Sequence, residues 1–161
     1  MVQRALGTTL SIGKETSVQV AGLTSINGLE LSADTIDATT LNSTEGYREF
    51  EAGFKDAGEV SLEGYLESAT GDGQKELYDL FESGDTEDFS IDFPNGAKWE
   101  FKGIVTGFTT GASLEDLLSF SGTIKVSGKP TFTTVEGEVG GEGGGGVGGE
   151  GGGGVGGEGG E

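Results

Sequence analysis

The chain has no cysteine and no histidine, two prolines and one tryptophan. Without Cys there is neither a disulfide framework nor a thiolate nucleophile. Without His the commonest general base and the commonest transition-metal ligand are both missing. Catalytic triads and zinc centres are therefore excluded. Basic residues are scarce as well: residues 1–134 hold all nine, against 22 acidic residues and hence a net −13, and six further glutamates bring the chain to −19. That balance argues against tight nucleic-acid binding through phosphate neutralisation. No run of about 18 apolar residues occurs, and the opening MVQRALGTTLSIG has one Arg and no sustained apolar stretch. These features predict a soluble protein made in a cytoplasm, with no spanning helix and no secretory leader.

The patterned stretch around which the rest is read is residues 53–67, GFKDAGEVSLEGYLE. Asp56-Ala57-Gly58 supplies turn chemistry, and Val60, Leu62 and Leu66 then alternate with Ser61, Glu63, Tyr65 and Glu67. A period of two predicts a strand with one dry face. Gly64 interrupts the apolar row, which marks a bulge or the close approach of another backbone.

Upstream, Leu10 and Ile12 make a first short strand, and residues 17–23 make a second. Asn27-Gly28 is a tight-turn signal that predicts a hairpin into Leu29, Leu31 and Ala33. The phase then changes at Thr35, because Ile36 and Ala38 occupy the opposite parity; a bulge there, or burial of both faces, accounts for it. Residues 41–46, LNSTEG, read as a polar loop before Tyr47-Arg48-Glu49-Phe50. Downstream, Leu77, Leu80 and Phe81 share one face of a short helix that Asp72 caps and Gly84 closes. Phe89, Ile91 and Phe93 form a strand, Pro94-Asn95-Gly96 turns it, and Trp99, Phe101, Gly103 and Val105 return. Residues 113–118 offer at most one helical turn. Leu118, Phe120, Gly122, Ile124 and Val126 then alternate with polar residues, and Lys129-Pro130 ends the patterned region. Many short strands with one helix predict a mainly β fold, a β-sandwich or open barrel with a helix packed against it, over residues 1–134.

Residues 135–161 differ in composition. An eight-residue repeat, VGGEGGGG, begins at Val139 and Val147 and is cut short after Val155. One Val per repeat cannot offset the entropy of ordering so many glycines, so this segment is expected to be a flexible tail. It lacks the nine-residue period and the Asp of calcium-binding glycine repeats, and no metal or cofactor is predicted anywhere in the chain.

Motifs that imitate chemistry fail on spacing. GTTLSIGK at residues 7–14 has one residue too many between its glycines for a phosphate loop, and Glu15 stands where the Mg²⁺-binding hydroxyl belongs. Glu63 with Glu67, or Asp85 with Glu87 and Asp88, are carboxylate pairs of the kind that acidic chains contain by chance, and they match neither a glycosidase site nor an EF-hand loop.

Taken together, LTSINGLELSADTIDATTL (residues 23–41), YREFEAGFKDAGEVSLEGYL (47–66) and SFSGTIKVSGKP (119–130) resemble the major tail tube proteins of long-tailed, non-contractile bacteriophages. None of these pieces is a catalytic motif, so the resemblance implies a structural protein and not an enzyme. It implies a virion subunit, assembled in the host cytoplasm, that forms hexameric rings. Stacked rings would make a hollow tube through which DNA leaves the particle without specific binding. It further implies tape-measure and tail-terminator partners and no membrane. Many relatives carry an immunoglobulin-like domain after the Gly-Lys-Pro segment; here the glycine repeat stands in its place.

On that resemblance the N-terminal arm and the 41–50 loop become candidate inter-subunit contacts, through Arg4, Leu6, Asn42, Tyr47, Arg48 and Phe50. Both segments are poor in core signals yet flanked by well-patterned strands. If the protein is a tube, the polar rows that include Glu30, Asp34, Glu63 and Glu67 are candidates to face the lumen, since strands present alternate residues to it. The glycine tail would then lie outside the tube. Two other readings stay open: a tube subunit of a related secretion or contractile machine, and a monomeric β-sandwich binding module on a glycine tether. The single Trp and three Tyr offer few sugar platforms for the latter.

Overall fold

The computed structural model describes residues 4–68 and 73–135. The first three residues of the arm, the cap assigned to Asp72 and the glycine repeat lie outside the described residues.

In chain order the elements are β1 (Thr9–Ile12), β2 (Val18–Gln19), β3 (Leu23–Gly28), β4 (Ser32–Asp37), a 3-10 turn at Thr44–Gly46, β5 (Phe50–Asp56), β6 (Glu59–Tyr65), α1 (Gly73–Ser83), β7 (Thr86–Asp92), β8 (Lys98–Gly111) and β9 (Ser119–Thr133). Seven strands form one antiparallel sheet in the order β2-β1-β7-β8-β9-β6-β3, while β4 and β5 pair only with each other. The mainly β fold with one packed helix is thus present, as a curled half-barrel.

Alternation builds the core directly. Leu10 pairs with Ile91 and Ile12 with Phe89; Phe89 pairs with Phe101; Val105 pairs with Ile124; Ile124 in turn pairs with Val60. All of these side chains are buried, so one apolar layer runs unbroken across five strands. α1 lies over it, with Leu77 and Leu80 turned inward and Tyr78 meeting Phe108 edge-on at 5.9 Å. Phe81, expected on the same face, is 42 % exposed, because a helix this short presents only a narrow stripe to the sheet. Gly84 closes the helix as expected, its N–H donating to the Leu80 carbonyl at φ 73°.

The glycine expected at a bulge or close approach in β6 is the second of these. A Cβ at Gly64 would collide with the Gly22 carbonyl oxygen and come within 2.9 Å of the Phe120 ring. The chain crosses there from one edge of the sheet to the other, and Tyr65 N–H donates to that same Gly22 oxygen at 2.9 Å.

Several expectations are corrected. Asn27-Gly28 does not turn a hairpin, since both residues end β3, which pairs with β6 through Ile26 to Leu62 and Gly28 to Val60. Gly28 (φ 146°) is required because a Cβ would strike the Glu59 carbonyl, so long-range pairing overrides a local turn signal. The strand expected over residues 17–23 is two pieces, separated by residues 20–22. The row Leu29, Leu31, Ala33 is dry only at Leu29, because β4 has no second layer above it. The parity change near Thr35 is a bulge, with the β4–β5 register shifting between Ala33 and Thr35. Lys129-Pro130 does not end the last strand. Ser127 pairs with Lys102 and Thr131 with Glu100, so residues 128–130 bulge out and β9 continues to Thr133. The PNG turn is as expected: Phe93 N–H donates to the Ala97 carbonyl at 2.9 Å, and Gly96 sits at φ 88°.

Candidate assembly surfaces

The chain leaves the sheet at Leu29 (φ 62°) and returns at Ala57. Everything between is the two-stranded ribbon and its tip. The return is fixed at Asp56, whose carboxylate accepts from the Gly58 N–H at 2.7 Å and from Lys125 Nζ on β9 at 3.0 Å. The Gly58 bond, then Lys125, hold the Asp56 carboxyl below the ordinary value of 3.8.

At the far end, local polar bonds replace a core. Asp37 accepts from the Thr39 N–H at 2.9 Å, Thr39 Oγ1 accepts from the Glu49 N–H at 2.9 Å, and Ser43 Oγ donates to Glu49 at 2.8 Å. These are the short side-chain-to-backbone bonds that Asp, Ser and Thr make in turns. Bonds from Thr39 also lower the Asp37 carboxyl below its ordinary value. Arg48 Nη1 stands 3.9 Å from Asp37. The tip is shaped, yet Leu31, Ile36, Leu41, Tyr47, Phe50 and Phe54 are all exposed, Phe54 by 91 %. Ile36 pairs with Glu51 and Phe50 with Asp37, so the exposed apolar side chains lie on both faces of the ribbon, each of them uncovered within the subunit.

Of the predicted contact residues, Asn42, Tyr47, Arg48 and Phe50 fall together on this ribbon. Arg4 and Leu6 do not join them. They precede β1, where Thr8 N–H donates to the Ala5 carbonyl at 3.0 Å, and Leu6 shares a groove with edge strand β3. Two features escaped sequence reasoning. Loop residues Leu114 and Leu117 are exposed, Leu117 lining a depression with Tyr65; LEDLL spaces its leucines i, i+3, i+4, a helical face too short to form a helix. Leu118, expected to lead the apolar row of the last strand, is exposed as well, because it precedes β9 and lies in this loop. Phe54 is exposed on β5, where its neighbours in the sequence give no sign that it lacks a cover.

The candidate lumen residues are dispersed. Glu63 stands on the wet face of the main sheet, Glu67 just beyond β6, Glu30 at the base of the ribbon and Asp34 at the β4 bulge. Around Glu63 the wet face is mostly hydroxyl. Glu63 pairs with Ser25 and Ser121, while Ser61 pairs with Asn27 and Thr123.

The family Lambda phage tail tube protein, TTP, matches residues 7–133. The chain belongs to that family. This tail tube protein is therefore a structural component of a virion-type particle. Its fold is similar to a chain in the virion of the native gene transfer agent particle (21 % identity, TM-score 0.69), covering 83 % of this chain and 100 % of that one. It is also similar to a chain of the extracellular contractile injection system PVC, sheath/tube terminator (16 %, TM-score 0.65, 83 % and 98 % covered). A third is the SPP1 tail tube (12 %, TM-score 0.57, 81 % and 80 % covered). At such identities the likeness speaks for the fold. Among curated protein sequences none matches the chain.

Proposed function

We propose that this tail tube protein closes into six-membered rings that stack into a hollow tube, and that DNA passes along its bore without being bound. The observation that carries the reading is the ribbon. A family member whose subunit holds six large apolar side chains exposed on one ordered excursion has a surface made for another copy. Six-fold closure is supported by the similar fold in the tail of the empty gene transfer agent particle, refined with C6 symmetry (22 % identity, TM-score 0.69). Head-to-tail contacts of this kind join unlike patches of one subunit and close into rings. In this reading Asn42, Tyr47, Arg48 and Phe50 on the ribbon, with Arg4 and Leu6 on the arm, touch neighbouring subunits. Tape-measure and terminator proteins meet the tube at its inside and its end. Assembly takes place in the host cytoplasm, the glycine tail lies outside, and the subunit performs no catalysis.

A tube of a contractile injection machine is the nearer second reading, favoured by the PVC likeness. A monomeric binding module is disfavoured by the apolar ribbon, which would be a solubility liability in a free monomer. Size-exclusion chromatography with negative-stain microscopy tests the proposal. Rings or tubes of uniform diameter are expected; a monomer at every concentration would overturn it.

A further inference from the structure

A cleft of about 830 Å³ opens at the foot of the ribbon, with Leu31 and Ala33 on one side and Val126 and Pro130 on the other. β6 begins at Glu59, opposite Lys125, so the bulge at residues 128–130 lies past the end of β6 and off the row that carries Ser61 and Glu63. Three lysines, Lys55, Lys125 and Lys129, line this apolar cleft. Asp56 lines it too, but its carboxylate is committed to Lys125 Nζ at 3.0 Å. Lys55 and Lys129 are exposed and have no carboxylate within 4.0 Å among the described residues. The cleft is therefore apolar inside and positive at its rim.

The complementary surface is on the same chain, out of its own reach. At the ribbon tip Leu41 and Tyr47 flank the Thr44–Gly46 turn, both exposed. Glu45, inside that turn, is exposed and has no ion pair among the described residues. The ribbon register runs from Ser32 opposite Asp56 at the foot to Asp37 opposite Phe50. At a rise of about 3.4 Å per residue the tip lies at least ~17 Å from the foot, so a subunit's tip does not reach its own cleft. We propose that the ribbon tip of one copy seats in the cleft of the next, with Leu41 and Tyr47 against Leu31 and Pro130 and Glu45 between Lys55 and Lys129. This pairing rests on ring formation as proposed for the subunit and adds which surface the ribbon meets. Charge selects the seat: the exposed leucine loop at Leu114 and Leu117 carries Glu115 and Asp116 and would repel Glu45. Because tip and cleft are unlike patches, the contact is head-to-tail and propagates from copy to copy until it closes.

The chain has no cysteine, so single introduced thiols report the contact. Glu45→Cys and Lys129→Cys proteins, mixed equally, assembled and oxidised, should give the mixed dimer as the main cross-linked species. Its yield should be at least ~5-fold above that from Glu45→Cys mixed with Lys75→Cys, as held proximity implies. Equal yields, or a preference for Glu115→Cys as the partner, would overturn the seat. Charge reversal supplies a second measurement. Glu45→Lys should raise the critical concentration for assembly at least ~10-fold, as like charges facing one another across an interface do. Adding Lys55→Glu and Lys129→Glu should bring it back to within ~3-fold of the unaltered protein, the mark of a direct coupling. Unchanged assembly of Glu45→Lys, or a loss that the triple reversal does not restore in a subunit shown to be folded by circular dichroism, overturns the tip-to-cleft contact alone. An unaltered protein that stays monomeric at every concentration overturns ring formation itself, and the two failures are thereby distinguished.

Discussion

The side-chain amide of Gln74 donates to the Tyr65 carbonyl oxygen at 2.9 Å, from the first turn of α1 to the end of β6. The same nitrogen donates to the Ala21 carbonyl at 2.9 Å, and its Oε1 accepts from the Glu67 N–H at 3.0 Å. Ala21 belongs to the crossing between β2 and β3, the two edges of the half-barrel, so one buried amide fastens its open side. Gln74→Leu removes those bonds while keeping volume. Loss of these three part-buried hydrogen bonds is expected to cost about 2–4 kcal/mol. Urea unfolding of the subunit measures it, and a loss well under 1 kcal/mol would show that solvent or neighbouring groups replace the amide.

Gly64 makes a second, purely steric claim. A methyl group there meets the Gly22 carbonyl and the Phe120 ring at once, one being backbone and the other packed in the core. Gly64→Ala must push β3 off β6, at an expected cost of about 2–3 kcal/mol by the scale of overpacking. Hydrogen exchange at Ser25 and Asn27 should accelerate more than at Leu10 or Phe89. Uniform exchange across the sheet would place the strain elsewhere.

Asp56 gives a pH dependence with a definite sign. Its folded carboxyl titrates below 3.8, held first by Gly58 and then by Lys125. The contribution is therefore fully present above the unfolded value and is lost as pH falls through the lower folded one. Carboxyl ¹³C titration should place its midpoint below 3.8, and Lys125→Gln should raise it only in part, since the Gly58 bond remains. A wild-type midpoint at or above 3.8 is the contrary result.

What was legible in the sequence follows from what is local. Alternation named Val60 and Leu62, Phe89 and Ile91, Phe101 and Val105, and Phe120, Ile124 and Val126 as inward side chains, because a strand has only two faces and one of them faces the core; Leu118, at the head of the last row, is exposed instead. Asn27-Gly28 misled because the same two residues that permit a tight turn also permit a backbone approach, and only the β3–β6 pairing tells them apart. Leu31 and Ile36 misled for the opposite reason: their alternation is real, but the surface that would cover them is not in the subunit. On that view the apparent failure of patterning at the ribbon is itself a pointer to assembly.

The ribbon tip can be removed without touching the sheet. Deleting residues 42–46 takes out the Thr44–Gly46 turn and exposed Leu41's neighbours, none of them buried in the core. A folded subunit with lost or shortened tubes is expected, by circular dichroism and negative-stain microscopy. Normal tube yield would remove the tip from the contact set.

A wall rich in Lys and Arg would hold DNA phosphates through counterion release, so a conduit calls for neutral or acidic side chains. The wet face around Glu63 suits it, with Ser25, Ser61, Ser121 and Thr123 offering hydroxyls and Glu63 a negative charge. Glu67 stands farther along, beyond β6 and tied by its backbone to Gln74, so it tests whether the face extends to the end of the strand. Replacing both by lysine leaves the apolar side of β6, Val60 and Leu62, intact, and tubes should therefore still form. DNA ejection from particles carrying Glu63→Lys and Glu67→Lys should slow or stall, and more so at low salt, where phosphate contacts are strongest. Ejection at the normal rate from particles shown to contain the altered subunit would instead put these carboxylates on the outer wall, where their role is solubility.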